Sequence, residues 1–343
     1  MNLGNDREME ERYDRQLRVK GWDQEKISNA TVCIWGVGAL GTFVAAELAM
    51  MGVGRLVLID FDTVEVSNLN RQLLYREKDV GRNKAEVAAE RIKEINKNVM
   101  IDVFQTSIEE VPMSVYRKVD VFVGALDSFE ARRWANSLAV QLRKPLVSGG
   151  MYGFLGQVQV IIPFETACFE CQPLVPSSKL SQVCTPPGET RKEKLKFKLP
   201  EAPIPGLATM SGIVGSLMTQ EVAKLILNIG KTITYLFIDG LNNSFTEIEL
   251  SRNPSCPLCG EKYQLSKVKI TLEENEKIDS VINRLKLTYG LNKPKIAWKG
   301  KLLSPDKLVK DYGIISGDSL LVIDNAIVKP IKLIASINDK SQT

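Results

Sequence analysis

The chain of 343 residues contains no histidine, and this absence excludes several classes of catalytic and metal-binding site. Ser-His-Asp and Cys-His hydrolases need an imidazole as the general base, and His-ligated metalloproteases need imidazole ligands. A zinc ion in this chain would therefore be bound by thiolates alone. A cysteine nucleophile would need activation by a helix terminus, a cationic neighbour or a substrate that is already a good electrophile.

Long apolar runs and a strong charge imbalance are missing as well. No stretch of about 18 apolar residues is present, which predicts that the chain does not cross a membrane. The N-terminal segment MNLGNDREMEERYDRQ is charged and has no apolar signal core, so we expect a cytoplasmic protein. The net charge is only +4 with both signs interspersed, and nothing demands a nucleic acid partner. Because the cytoplasm is reducing, the six cysteines are expected to be ligands or nucleophiles rather than disulfides.

The first half of the sequence alternates between strand and helix patterns. Buried strands are predicted at 31–35 and 55–60, with a helix at 39–51 between them. The same alternation continues with helices and strands at 82–96, 99–105, 119–124 and 128–142. Such alternation predicts an α/β fold with a doubly wound, Rossmann-like, mainly parallel sheet that is covered on both faces.

A glycine-rich turn, Gly36-Val37-Gly38-Ala39-Leu40-Gly41, follows the first predicted strand and leads into a helix. Such a turn can hold phosphates against its backbone amides. The alternative is a tight strand-to-helix turn that simply requires small residues. Asp60 ends the second predicted strand, nineteen residues after Gly41, which is the spacing at which a βαβ nucleotide fold places an acid on a ribose hydroxyl.

Two Cys-x-x-Cys pairs, Cys168/Cys171 and Cys256/Cys259, follow later in the chain. This spacing puts two sulfurs on one tight turn, and two such turns can provide a tetrahedral site for one structural Zn²⁺. Free core thiols are the alternative. Cys33, in the middle of the first predicted strand, is expected to be a buried structural thiol.

From residue 145 onward the pattern changes to longer strands, interrupted by one predicted helix at 209–228. The strands are predicted at 145–149, 155–162, 232–239 and 244–250. Between Cys171 and Gly206 the sequence is rich in Pro, Lys and Ser and has no sustained period, which predicts a long surface loop. A separate small unit is predicted to begin near Lys267.

A further string of residues identifies a family. The second strand continues as DFDTVEVSNLNRQ over residues 60–72, followed by Gly81-Arg82-Asn83-Lys84 and, after another strand, by Asp127. With the glycine turn, this pattern resembles the ThiF/MoeB and ubiquitin-activating enzyme superfamily, from about Arg12 to Lys262. A dehydrogenase would share the glycines and Asp60, but it has no reason to carry the Asn-Leu-x-Arg-Gln segment, the lysine or a zinc knuckle.

The resemblance implies ATP and Mg²⁺ as cofactors and gives roles to individual residues. Asp60 would contact the ribose, Arg71 and Lys84 would hold the triphosphate, and Asp127 would bind Mg²⁺. The nucleotide pocket would be completed by Gly36, Gly38, Gly41, Asp62, Asn68 and Gln72. Cations and Mg²⁺ suit this chemistry independently, because a carboxylate that attacks an α-phosphate brings two anions together. Solvated charges for Arg71 and Lys84, and a helix cap for Asp127, are the alternatives.

Two residues have roles that depend on the resemblance alone. Arg15, in the string Arg-Tyr-Asp-Arg-Gln over residues 12–16, is similar to an arginine that reaches into the partner subunit's ATP site, which implies a homodimer. An ordinary exposed arginine is the alternative. Cys184 lies where the family carries the thiol that accepts the activated carboxylate, and an incidental loop cysteine is the alternative. The insertion TPPGETRKEKLKFKLPEAPIP after Cys184 departs from the family pattern.

Residues 268–323 resemble ubiquitin from its second strand onward, which implies a small β-grasp domain. A modifier would need an exposed terminal Gly-Gly, whereas this sequence ends in Asp-Lys-Ser-Gln-Thr, so a docking domain is preferred. The expected organisation is therefore an adenylation domain at 1–265, which contains the zinc knuckle and a catalytic-cysteine loop at 172–208. A ubiquitin-fold domain at 266–325 and a tail at 326–343 complete the chain.

These expectations combine into a homodimeric enzyme that activates a ubiquitin-like protein ending in Gly-Gly. It would adenylate the terminal glycine with MgATP, form a thioester on Cys184 and pass the modifier to a conjugating enzyme docked on the ubiquitin-fold domain. The first alternative is a MoeB/ThiF-like adenylyltransferase for a sulfur-carrier protein, in which Cys184 would serve persulfide transfer or nothing. A third hypothesis is a non-catalytic scaffold that keeps the fold without the chemistry.

Overall fold

The computed structural model describes residues 11–171, 205–260, 267–289, 293–298, 301–315, 318–324 and 327–338. The described residues divide into two compact units. The smaller unit contains 109–117, 170–171 and the described residues from Asn253 onward, and the larger unit contains the rest. The sequence placed the domain boundary later, between 265 and 266. Cys184 and nearly all of the predicted loop at 172–208 lie outside the described residues.

Strands and helices alternate along residues 24–247 much as the sequence predicts. They are α1 Gln24–Asn29, β1 Thr31–Trp35, α2 Ala39–Met51, β2 Arg55–Ile59, α3 Lys84–Ile95, β3 Met100–Phe104, α4 Met113–Tyr116, β4 Val121–Gly124, α5 Phe129–Leu142, β5 Leu146–Tyr152, β6 Leu155–Ile161, α6 Ala208–Leu227, β7 Tyr235–Asp239 and β8 Ser244–Glu247. Residues 11–17 form a further helical segment ahead of α1. Within the described residues, no helix is both long enough and apolar enough to span a bilayer.

The larger sheet has the strand order β3-β2-β1-β4-β5-β6-β7-β8. The strands from β3 to β5 pair in parallel, and β6, β7 and β8 continue the sheet in antiparallel pairs. This arrangement confirms the predicted Rossmann-like, mainly parallel α/β fold. The chain moves outward from β1 to β3 and then returns to the other side of β1 as β4, so the strand order reverses between β1 and β4.

The core is built on the buried strand β1. Alternate residues of the strands pack against α2 and α6 in one continuous apolar cluster, which includes Val32, Ile34, Val44, Leu48, Val214 and Met218. On the other face of the sheet, the ring of Trp35 stacks on Phe122 with 4.4 Å between centroids, and Trp134 of α5 meets Trp35 edge-on. The helices therefore cover both faces, and the strand ends are left to form the site.

The smaller unit contains a five-stranded sheet and one longer helix. Its elements are β9 Lys267–Glu273, α7 Ile278–Tyr289, β10 Lys295–Trp298, β11 Lys301–Leu302, β12 Ser319–Asp324 and β13 Ile327–Asn338. The strand order is β11-β10-β12-β13-β9, and the apolar face of α7 packs on the sheet through Ile278, Val281 and Leu285. A strand, a helix and further strands in this succession form a small α/β unit, and its identification as a ubiquitin fold stays a prediction.

The strand β13 differs from the sequence-based expectation, which placed residues 326–343 in a tail. Residues Ile327–Asn338 instead lie inside the sheet, antiparallel to β12 and parallel to β9. The segment IVKPIKLIASIN is rich in β-branched residues, which favour the extended conformation of a strand. The sequence-based description ended the domain one strand too early.

Candidate active site at the carboxyl ends of β1, β2 and β4

The reversal of strand order between β1 and β4 creates a crevice at the carboxyl ends of these strands. In open α/β sheets, ligands bind in the crevice at such a switch point. The connecting segments are joined there by backbone hydrogen bonds, since Gly36 N donates to Ile59 O at 2.9 Å and Ala125 N donates to Trp35 O at 2.9 Å. The residues that follow β1, β2 and β4 are therefore gathered at one edge of the sheet.

The three glycines of the turn after β1 differ in whether their surroundings require glycine. Gly36 has a positive φ of 85°, and a Cβ there would lie 2.6 Å from Ala125 O. A Cβ on Gly41 would lie 2.0 Å from Gly36 O. By contrast, a Cβ on Gly38 would meet only the Gln72 amide nitrogen, at 3.8 Å. The packing of the described residues therefore does not require glycine at Gly38, immediately before the first turn of α2, whose amides have no acceptor within the helix.

Asp60 holds the turn in place from the end of β2. Its Oδ2 accepts a hydrogen bond from Val37 N at 2.7 Å, and its Oδ1 accepts one from Asp62 N at 2.9 Å. Burial raises the pKa of Asp60 to about 6, and the positive charge of Lys84 partly opposes this rise. The carboxylate is thus fixed by two backbone donors at the edge where the sequence predicts a ribose contact.

Lys84, the first residue of α3, is buried rather than solvated. Its Nζ lies 3.0 Å from Asp62 Oδ2, and its backbone N donates to Asp62 O at 2.9 Å. Arg71 is partly buried, and its Nη1 donates to Ser67 O at 2.7 Å and to Asn70 Oδ1 at 2.9 Å. The alternative of a solvated charge therefore does not fit Lys84.

Asn68 and Gln72 are both buried beside the turn. Asn68 Oδ1 accepts from Glu65 N at 3.0 Å and closes the short helical turn that carries the SNLNRQ segment. Gln72 Oε1 is buried and has no hydrogen-bond partner among the described residues. A buried acceptor without a donor costs free energy, so this amide oxygen would gain from a ligand that brings a donor.

Asp127 is exposed beyond the carboxyl end of β4. The N-cap of α5 is the next residue, Ser128, whose side chain accepts from Ala131 N at 3.2 Å. The alternative of Asp127 as the helix cap is therefore wrong. Asp127 thus lies exposed at the switch point.

Arg15 lies on the N-terminal helical segment, and its side chain is 91% exposed, with Nε 3.7 Å from Asp14 Oδ2. The neighbouring residues anchor this segment. Asn96 Nδ2 donates to Tyr13 Oη at 2.9 Å, and Gln16 Nε2 donates to Met51 O at 2.9 Å. The structure therefore presents Arg15 outward from an anchored segment.

Sequence reasoning missed Tyr75, which is buried at the turn. Its hydroxyl donates to Val37 O at 2.6 Å and lies 3.1 Å from Lys84 O. The only signal in the sequence is an aromatic residue in the run Leu-Leu-Tyr that follows Gln72, and an ordinary core tyrosine gives the same signal.

The four cysteines of the two Cys-x-x-Cys pairs form a second site. All four are buried, and their sulfur atoms lie within 4.8 Å of one another, in a group made of Cys168, Cys171, Cys256 and Cys259. Backbone amides of Leu258 and Cys259 point at Cys256 Sγ at 3.4 and 3.5 Å, an arrangement that stabilises a thiolate. A Cβ on Gly260 would lie 2.5 Å from Pro254 O, so the second knuckle requires glycine there. This donor set could bind zinc.

Cys33 is fully buried in β1, as predicted for a structural thiol. Burial raises the pKa of its thiol well above the ordinary value. It therefore has no thiolate character at neutral pH, and the structure gives it no part in either site.

Comparison with known proteins matches this arrangement to one family. The sequence model of the ThiF family matches residues 13–258. A sulfur carrier protein adenylyltransferase of Thermus thermophilus is 37% identical over 74% of this chain and 91% of its own length. The SAMP-activating enzyme E1 of Haloferax volcanii is 31% identical over 76% of this chain and 93% of its own length.

A solved structure has the same fold. The crystal structure of E. coli MccB is similar with a TM-score of 0.60 and 26% sequence identity, covering 74% of this chain and 73% of its own.

Proposed function

Since the chain belongs to the ThiF family, we propose that it uses ATP to adenylate the C-terminal carboxylate of a small carrier protein, most simply a sulfur carrier. The sequence analysis placed a ubiquitin-like modifier first and a sulfur carrier second. The relatives reverse this order, because the 37% identical relative is a sulfur carrier protein adenylyltransferase. Adenylation is common to both substrates, so the site chemistry below applies to either.

The observation that carries the proposal is that the described packing does not require glycine at Gly38. A Cβ there would make only an ordinary contact, with Gln72 Nε2 at 3.8 Å, and Oε1 of the same amide is buried without a hydrogen-bond partner. A nucleotide fits both features, because its phosphates accept hydrogen bonds from turn amides and its hydroxyl or amino groups can donate to a buried acceptor. Asp60 would bind the ribose, while Arg71 and Lys84 would bind the phosphates.

The reaction requires little proton transfer from the protein. A carboxylate oxygen of the carrier attacks the α-phosphorus of ATP, a new C–O–P linkage forms, and the bond to pyrophosphate breaks with its electron pair leaving on pyrophosphate. The attacking carboxylate is already ionised at neutral pH, so no general base is needed. A chain without histidine can therefore carry out this step by positioning and charge stabilisation.

Positive charge at the site is the main requirement of this chemistry. Lys84 and Arg71 would neutralise the phosphates as the second anion approaches. Mg²⁺ bound through the exposed Asp127 would supply further neutralisation of the pyrophosphate leaving group. Lys84 would exchange Asp62 for a phosphate when the nucleotide binds.

Two further parts of the proposal concern structure rather than chemistry. The four buried thiols would hold one Zn²⁺ that stabilises the fold. Arg15 would complete the ATP site of a second copy of the chain, so that the enzyme acts as a homodimer with two equivalent sites.

A second candidate function is activation of a ubiquitin-like modifier with a thioester on Cys184. The five-stranded β-grasp-like unit favours it, because such a unit could dock a conjugating enzyme, and the SAMP-activating enzyme E1 is also a relative. An adenylate is a strong electrophile and would react with a thiol without a histidine.

Pyrophosphate exchange tests the proposal. Purified enzyme, MgATP and small β-grasp proteins that end in Gly-Gly should exchange labelled pyrophosphate into ATP, whereas carriers that lack the two glycines should not. Absence of exchange with every intact carrier would contradict the proposed function. In the same reactions, a reductant-sensitive adduct that Cys184→Ala abolishes, with exchange retained, would favour the second candidate over the sulfur carrier.

A further inference from the structure

Both main-chain polar groups of Val37, in the middle of the glycine turn, are held by hydrogen bonds. Its N–H donates to Asp60 Oδ2 at 2.7 Å. The carbonyl of Val37 accepts the hydroxyl hydrogen of Tyr75, with 2.6 Å between the oxygens. Asp60 comes from the end of β2 and Tyr75 from the segment after Gln72, so two separate parts of the chain fix one turn residue.

Tyr75 is only 3% exposed, and its hydroxyl also lies 3.1 Å from the carbonyl of Lys84. A hydroxyl has a single hydrogen to donate, and the shorter distance assigns it to Val37. Burial, together with the nearby carboxylates of Asp60 and Asp62, raises the pKa of Tyr75 far above its ordinary value. The hydroxyl therefore keeps its hydrogen at neutral pH and can act as a donor there.

The hydroxyl is not explained by packing. A phenylalanine would fill the same apolar space without the cost of burying a polar oxygen, and the two residues before Tyr75 are leucines. The oxygen instead lies between the backbone of the turn and the backbone of Lys84. In the proposed function, the turn and Lys84 are the two elements that would bind the phosphates.

We propose that Tyr75 is a positioning residue for the phosphates of ATP, an inference that rests on the proposed function. Peptide planarity couples the direction of the Val37 carbonyl to that of the Gly38 N–H. By holding that carbonyl, Tyr75 fixes the direction of the Gly38 N–H, next to the first turn of α2, whose amides have no acceptor within the helix. It also keeps the start of α3, with Lys84, at a fixed distance from the turn. Tyr75 itself does not touch the nucleotide.

Tyr75→Phe tests this role with MgATP and adenosine as probes. Both are titrated against full-length protein by calorimetry. Loss of one aimed hydrogen bond should weaken MgATP binding by about three- to tenfold, because preorganised amides would become mobile. Adenosine, which has no phosphates, should bind within about twofold of its affinity for the wild type. Tyr116→Phe is the matched control, since Tyr116 is also buried but precedes the opposite, amino end of β4, and it should change neither affinity.

The ratio of the two affinities separates positioning from general structural damage. Unchanged MgATP affinity in Tyr75→Phe, or equal weakening of MgATP and adenosine, would overturn the inference. If Tyr75→Phe does not fold, 4-aminophenylalanine at position 75 keeps a weaker donor in the same place. That variant should show a smaller loss for MgATP alone, and an equal loss for both ligands again contradicts the role. Failure of the wild type to bind MgATP would instead count against the proposed function.

Discussion

Lys84 and Asp62 form an ion pair in which the two partners have very different surroundings. The distance between Lys84 Nζ and Asp62 Oδ2 is 3.0 Å, and the side chains are 10% and 48% exposed, respectively. Asp62 can therefore be rehydrated when it is released, whereas Lys84 needs an anion at all times. The pair holds the lysine at the turn until another anion takes the place of the carboxylate.

Lys84→Met should reduce carrier-dependent pyrophosphate exchange at least about 100-fold, because the buried positive charge that faces the phosphates would be lost. The methionine keeps much of the apolar stem, so the protein should stay folded. Lys93→Met, an exposed site on the same helix, is the control and should exchange at the wild-type rate. Near-normal exchange by Lys84→Met would mean that the lysine only neutralises Asp62.

The raised pKa of Asp60 predicts a pH dependence of stability. Its folded-state pKa of about 6 lies above its ordinary value of 3.8, so the folded protein binds an extra proton between these values. This contribution favours folding at low pH and is lost as the pH rises through about 6. It amounts to at most about 3 kcal/mol.

Urea unfolding of wild type and Asp60→Asn between pH 4 and 7 measures this contribution. The variant lacks an acceptor for one backbone donor and should be less stable overall, so the slopes are compared rather than the absolute values. The variant should lose less stability than the wild type as the pH rises. Parallel curves would contradict the raised pKa.

Metal analysis of the purified protein should find one Zn²⁺ per chain. Cys256→Ser should lower the zinc content and the melting temperature together, because thiolates held close together in a buried site repel one another when no metal joins them. Cys33→Ala is the control, since it removes an equally buried thiol but should leave the zinc content unchanged. If a zinc-free Cys256→Ser protein melted at the wild-type temperature, the result would contradict a structural metal.

Arg15→Ala and Asp127→Ala should each abolish pyrophosphate exchange, but the two variants should complement one another when they are mixed. If a site uses Asp127 of one chain and Arg15 of the other, a mixed dimer contains one intact site. After full subunit exchange at equal amounts, about a quarter of the wild-type activity should return, because half of the dimers are mixed and each has one working site. If differently tagged chains show that subunits have exchanged and no activity returns, the result would contradict a shared site.

The sequence predicts the larger unit well because its signals are local. Alternating strand and helix patterns fixed nearly every element between residues 31 and 247, and the cysteine spacing identified four thiols that the fold brings together. The roles of Lys84 and Asp127 at a nucleotide site stay predictions. These residues were found because each stands in a recognisable string.

Features that depend on tertiary contacts were not predictable. Tyr75 looks like any core aromatic until its hydroxyl is placed beside Val37. Likewise, the different roles of Gly36, Gly38 and Gly41 depend on which neighbours a Cβ would meet. The strand β13 contains a proline and has no adjacent strand pattern on its C-terminal side, so its place between β9 and β12 depends on pairing across the whole unit.

The position of β13 has a consequence for how the smaller unit is made. Among the described strands, its first strand, β9, pairs only with β13, which is synthesised after every other strand of that sheet. On the ribosome, β9 therefore stays unpaired until residues 327–338 have left the exit tunnel. The pairing of β9 with β13 joins segments that are far apart in sequence, and such pairings form slowly. The larger unit completes its own sheet before that wait begins, so the nascent chain should form the carboxyl edge of β1, β2 and β4 first. A stalled chain that stops before β13 would expose β9 to chaperones and to pairing with other chains.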